Sequence, residues 1–205
     1  MPSINITSAD VTAIIVSVIT VIVGPILIIL IRHFMKNSQA DIVQDNLRTG
    51  TLIDNKIDDI RSELHADRVW VAQFHNGGHF YPSGKSIAKF SIFHETVGIG
   101  VQSMQIQLQN IPVNLFSKSL NELSERDQLV AVSGSNSNDS MGIRHLLDEY
   151  GSKVTYLSAI RSIDGRLIGM LGVDYTKSVT MLSQTECNSL LLSAASIGGI
   201  ITTGL

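Results

Sequence analysis

The side chains best suited to chemistry fall in one short stretch. His75 and His79 flank Asn76-Gly77-Gly78, and His94-Glu95 closes the next apolar segment. If the two segments pair as strands, three imidazoles and a carboxylate converge on one rim. That inventory can hold Zn²⁺ or another imidazole-preferring metal. The spacing matches no metal-binding signature, so no metal is assigned. The histidines can equally shape the turn by local hydrogen bonds, or form the polar wall of a ligand pocket. Asn76, Gly77 and Gly78 either offer backbone N–H groups to an anion or make a plain tight turn. Tyr81, in a second turn signal Tyr81-Pro82-Ser83-Gly84, stands near the same rim. Farther on, Arg161 and Asp174 are charges among apolar neighbours, which calls for a partner. They can pair with each other or with a ligand. The candidate ligand-binding residues are therefore His75, Asn76, Gly77, His79, Tyr81, His94, Glu95, Arg161 and Asp174.

Enzyme chemistry finds little footing. The chain has no Walker A loop, no G-x-S-x-G elbow, no H-E-x-x-H and no useful Cys/His spacing. The expectation is a non-catalytic protein with no cofactor that the residues can name. A net charge of −3 with no basic patch argues against nucleic acid. The single cysteine, Cys187, excludes an internal disulfide and reads as a residue in or near the core.

The elements that must position these residues begin with a membrane signal. Residues 11–31 read VTAIIVSVITVIVGPILIILI without a charge. At ~1.5 Å per helical residue the run reaches ~31 Å, about the hydrocarbon thickness of a bilayer. No basic segment precedes it and no small-residue cleavage site follows, so it reads as an uncleaved anchor. Arg32, Lys36 and Arg48 on its C-terminal side place the large remainder in the cytoplasm by the positive-inside rule. The expected organisation is a short outer tail at 1–10, an anchor at 11–31, a juxtamembrane linker at 32–50 and one domain at 51–205.

Ile53, Ile57, Ile60 and Leu64 recur at helical spacing. This seam either packs on its own domain or makes a parallel homodimer contact. Arg68–His75 reads as a strand that Asn76-Gly77-Gly78 breaks, and Lys89–Glu95 as its neighbour. Met104, Ile106 and Leu108 alternate with glutamines, which predicts another strand. A helix is expected over 114–125, a short strand over 128–132, a loop over 133–140 and a short helix over 141–150. Asp164-Gly165 between two apolar runs predicts a hairpin. Both of its faces are apolar, so the sheet must be covered on both sides. Ser183 with Glu186 forms a capping-box signature for a last helix reaching about Ile200.

Helix, strand, turn, strand, helix, hairpin and closing helix is the order of a GAF domain. Residues 146–201, with LLDEYGSKVTYLSAI, the DG hairpin and RLIGMLGVDY, resemble the C-terminal half of that family. Ala159-Ile160 stands where a Pro-apolar pair is frequent. RVWVAQFHNGGHFYPSG resembles GAF-like membrane-anchored proteins of bacteria and phages that carry an FHNG segment. The resemblance implies an α+β fold: after the N-terminal transmembrane helix, a GAF/PAS-like antiparallel sheet flanked by helices.

The expected function is a single-pass membrane protein displaying a GAF-like sensory module. It binds a small molecule or protein beneath the FHNGG and FYPSG loops and has no output domain of its own. Two alternatives stand beside it: a phage holin-type lysis protein with one span and a globular domain, and a non-catalytic membrane tether or scaffold.

Overall fold

The structure, a computed structural model, describes residues 8–80, 82–125, 129–133, 145 and 148–203. The chain divides into two compact units, Met1–Leu47 and Arg48–Leu205.

In the first unit the apolar run is helical but divided. An α-helix, α1 (Ser8–Val18), passes into a five-residue π turn (Ile19–Val23), and α2 (Gly24–Glu63) follows. Pro25 has no N–H and its ring crowds the carbonyl four residues back, so a wider turn before it relieves the conflict. Among the described residues no helix is long and apolar enough to cross a membrane. The expected single transmembrane helix is thus replaced by consecutive helical pieces. α2 itself is apolar only at its start, and it runs through the expected linker. The described large apolar side chains of the run are exposed, Val21 at 71 % and Ile29 at 65 %. Ser17 and Thr20 turn their hydroxyls back onto the carbonyls of Ala13 and Val16.

The second unit is built on a six-stranded antiparallel sheet in the order β3-β2-β1-β6-β5-β4. The strands are β1 (Arg68–His79), β2 (Ser86–Val97), β3 (Ile111–Pro112), β4 (Val130–Ser133), β5 (Val154–Arg161) and β6 (Leu167–Tyr175). A helix α3 (Ser117–Glu125) precedes β4, and α4 (Gln184–Thr203) closes the fold. The Ser183–Glu186 capping box forms: the Glu186 N–H reaches the Ser183 hydroxyl at 3.3 Å, and the Ser183 N–H reaches the Glu186 carboxylate at 2.7 Å.

One face of the sheet is covered by helices. Ile53, Ile57, Ile60 and Leu64 of the α2 seam join Val69, Val71, Leu171 and Val173 of the strands and Leu190, Ala194 and Ile197 of α4. All four seam residues are at most 4 % exposed. The seam therefore packs inside its own domain, and a homodimer through its apolar side chains is not what the fold uses it for. Gly50 lies within the helix, where its bare Cα faces His94.

The other face is covered by irregular chain. Trp70, Phe90, Ile92, Met104, Leu108, Phe116, Leu123 and Met170 pack there. Gly172 sits flat beneath Trp70; a Cβ at that position would stand 2.0 Å from the indole.

Two expectations fail for physical reasons. The Asn76-Gly77-Gly78 segment does not end β1 but lies within it, as an irregularity with Gly78 at φ 99°. Residues 104–109 form turns, not a strand. Met104 and Leu108 are buried four residues apart, while Ile106 is 82 % exposed. The alternating glutamines serve another purpose. Gln105 and Gln109 donate side-chain N–H groups to the carbonyls of Phe93 and Ile92, capping the bulged outer edge of β2. The expected loop at 133–140 and helix at 141–150 lie mostly outside the described residues.

Candidate functional site

The histidine rim does not assemble. His75 hydrogen-bonds the Ser91 hydroxyl at 2.9 Å, on the strand pair itself. His94 reaches across to Asp54 of α2 at 2.7 Å. Glu95, the next residue along the strand, faces the other way, and its carboxylate accepts the Met104 N–H at 2.8 Å. His79 is exposed at the end of β1. Among the described residues no group of His, Cys, Asp and Glu could hold a metal ion. Asn76 is exposed, and Gly77 is kept bare by the Lys89 side chain lying across it. Tyr81 lies outside the described residues.

Arg161 and Asp174 do not pair with each other. Asp174 faces Arg68 directly across β1 and β6, and the guanidinium Nε donates to its carboxylate at 2.6 Å. Thr155 from β5 and the Trp70 indole N–H donate to the same carboxylate, at 2.6 and 3.2 Å. Arg68 also donates to the Gln102 carbonyl at 2.7 Å and the Ser152 hydroxyl at 2.5 Å, and lies over the Tyr150 ring. Both charges are fully buried. Burial pushes the Asp174 carboxyl up from its ordinary range, against the pull of Arg68, Thr155 and Trp70. Each guanidinium nitrogen and each carboxylate oxygen here has a partner within the chain, which makes this a structural network. The residue that completes it, Arg68, was readable only as a charge opening an apolar strand.

A groove of about 430 Å³ lies elsewhere, between the β5–β6 turn and α4. Ser158, Arg161, Ser162 and Ile163 form one side, and Leu191, Ala195 and Gly199 of α4 the other. β4 pairs with β5 only over Val154–Leu157. The following stretch, 158–161, therefore has no strand on its outer side among the described residues. α4 can approach because Gly198 lies against the Arg161 carbonyl, where a Cβ would be 2.1 Å away. Arg161 is held in place by the carbonyls of Leu123, Ser124 and Gly165. The Ser158 hydroxyl is fully buried and has no hydrogen-bond partner among the described residues. A buried hydroxyl in that state is costly. A Cβ added at Gly199 meets nothing within 4 Å, so the groove is open space there. Of the candidate ligand-binding residues, only Arg161 belongs to this groove. Small apolar ligands are usually held in clefts of this size with a few polar groups.

Solved structures match this arrangement over most of its length. A blue-light-absorbing PixJ GAF domain of Thermosynechococcus elongatus superposes with a TM-score of 0.60 at 14 % identity, over 75 % of this chain and 84 % of that one. The phycoerythrobilin-bound GAF domain of a cyanobacterial phytochrome gives 0.60 at 17 % identity, over 84 % and 95 %. The third GAF domain of Slr1393 from Synechocystis sp. PCC6803 gives 0.58 at 16 % identity, over 75 % and 93 %. The fold is that of a GAF domain. At these identities the likeness concerns fold alone. No protein-family model and no curated protein matches the sequence. In this GAF fold the loop-covered face is filled, where it is described, by Trp70, Phe90, Met104 and Phe116. The Phe90 and Phe116 rings meet edge-on at 5.1 Å.

Proposed function

We propose that this chain is a membrane-anchored GAF-fold binding module, non-catalytic, that takes a small, largely apolar ligand or a short protein segment. The observation that carries the reading is the groove beside α4. It joins a buried hydroxyl with no hydrogen-bond partner among the described residues and a fixed guanidinium to an apolar helix face. An incoming carbonyl or hydroxyl would satisfy Ser158 once a small shift of the groove wall exposes its hydroxyl. The bilin-bound GAF neighbours support a sensory role in kind, since that protein fold accommodates ligands. Their ligand is not carried over to this chain.

Anchoring is supported by the uninterrupted succession of helical segments from Ser8 to Glu63 and by the exposure of every described large apolar side chain from Val16 to Ile31. A π turn inside such a run keeps the backbone bonded within the segment, which is what a bilayer demands. By the positive-inside rule, the positive residues after the run favour a GAF fold on the cytoplasmic side. α2 then carries any change at the domain toward the anchor, a coupling that requires the ligand to prefer one of two states.

Bacterial membranes holding the full chain, washed with sodium carbonate at high pH, test the anchor. The chain is expected to stay in the pellet, and a variant lacking 11–31 to leave it. A full chain that washes off overturns the anchored reading. A reporter fused at the C-terminus that works only outside the cytoplasm would move the weight to the lysis reading.

A further inference from the structure

The β1–β2 hairpin outruns the sheet to which it belongs. β6 pairs with β1 only from Arg68 to Gln73, and β3 meets β2 only at Lys89 and Phe90. β1 and β2 nevertheless stay paired as far as His79 and Ser86. From Asn76 to His79 a two-stranded ribbon therefore stands out beyond its neighbours by about 10 Å, at ~3.3 Å per residue. Its tip is closed by two backbone bonds, Phe80 N–H to the Lys85 carbonyl and Gly84 N–H to the Phe80 carbonyl, each 2.8 Å. Phe80 is half exposed, and Pro82 and Lys85 are exposed. Residues 75–94 hold Lys85, Lys89 and three histidines and no Asp or Glu. The Lys89 stem lies along the ribbon over bare Gly77. An isolated two-stranded ribbon is marginal in water, and an aromatic held at its tip gains nothing there.

Contacts within the second unit give the ribbon a direction. Tyr175 donates to the Leu64 carbonyl, Thr96 to Asp58, and His94 meets Asp54. From residue 64 back to residue 50, α2 thus advances along β2 toward the ribbon. The ribbon tip lies at the end of the unit at which residue 48 stands, and the chain before residue 48 leads to the apolar run.

We propose that the ribbon tip seats in the headgroup layer of the bilayer that anchors the chain. Phe80 enters the interface, and Lys85 and Lys89 face anionic headgroups. The proposal rests on the anchored reading above. Aromatic rings and long lysine stems are the side chains that settle at this depth, with an apolar body and a charged end. Basic residues near an anionic surface are drawn to it within a Debye length.

The test is a Phe80→Trp variant of the full chain, reconstituted in vesicles of phosphatidylcholine and phosphatidylglycerol with brominated acyl chains. Wild-type emission, from buried Trp70, is subtracted as background. Ile99→Trp is the control, since Ile99 is fully exposed beyond the other end of β2. The expected result is at least twofold quenching at position 80, none at 99, and a loss of quenching when Lys85→Glu and Lys89→Glu are added. Flotation of the vesicles after a carbonate wash is read in parallel. A chain that floats with the indole at position 80 unquenched overturns this proposal and leaves the anchor standing. An indole there that is shielded from acrylamide yet unquenched by brominated lipid means a protein covers the tip, and also overturns it. A chain that does not float removes the anchored reading and the proposal together.

Discussion

The two faces of the sheet are closed by different physics. On one, α2 and α4 lay continuous apolar seams over Val69, Val71, Leu171 and Val173. On the other, irregular chain covers Trp70, Phe90 and Met170 and encloses a charged network around Arg68 and Asp174. The helical face gains stability from area removed from water, which tolerates small changes of shape. The loop-covered face depends on each buried polar group finding its partner, and one missing partner leaves a bare charge. The groove opens at the margin of the helical face, where α4 passes the end of β5. There the seam gives way to small residues.

The sharpest way to break the contrast is Arg68→Leu. It strands the Asp174 carboxylate and should cost about 3–5 kcal/mol, read by thermal or urea unfolding of the full chain in detergent. Adding Asp174→Asn should recover much of the loss. If the single variant unfolds like wild type, the network does not hold that face. On the helical face, Ile57→Ala should cost about 2–5 kcal/mol, scaled by the cavity it leaves, with no rescue from any polar substitution.

Asp67 sharpens the comparison through pH. Burial raises its carboxyl, but the Lys177 side chain, the Thr176 and Lys177 N–H groups and the Thr176 hydroxyl together hold it below its ordinary value. A lowered folded value means stability that is present above the unfolded value of 3.8 and is lost as pH falls below it. Asp67→Ala should cost about 1–3 kcal/mol at neutral pH and flatten the acid limb of the stability profile. An unchanged limb would remove Asp67 from the account. Tyr175 acts at the other end. Burial, with Glu186, Tyr156 and Asp67 nearby, pushes its phenol up to about 12. Its contribution is complete below pH 10 and fades as pH rises toward 12. Burial also raises the Tyr150 phenol, so absorbance near 295 nm should show tyrosines ionising late, and Tyr175→Phe should remove part of that step. The smallest expected effect is Ser183→Ala at the α4 cap, about 0.5–2 kcal/mol.

What the sequence made legible follows the same division. Regular spacing exposed the α2 seam, the DG hairpin and the capping box, because each is a local rule expressed over a few residues. The run at 11–31 was equally plain as composition, though Pro25 divides it into pieces. The loop-covered face was opaque. Met104 and Leu108 are buried by a turn, and the glutamines between them cap a bulged edge, so a period of two arose without a strand. The histidine rim failed because successive strand residues face opposite ways, so His94 meets Asp54 while Glu95 turns to Met104. Arg68 and Asp174 are 106 positions apart, and only strand register joins them. The groove left one sequence trace, Arg161; an unpartnered serine has none.

The most direct test of the central claim is native mass spectrometry of the full chain released from detergent micelles, beside a Gly199→Leu variant. A leucine there enters open groove space on an existing helix and should leave the fold intact, checked by an unchanged unfolding midpoint. The account predicts an additional bound mass on the wild-type chain that the variant lacks. A bare polypeptide in both, or a bound mass retained by the variant, would contradict it.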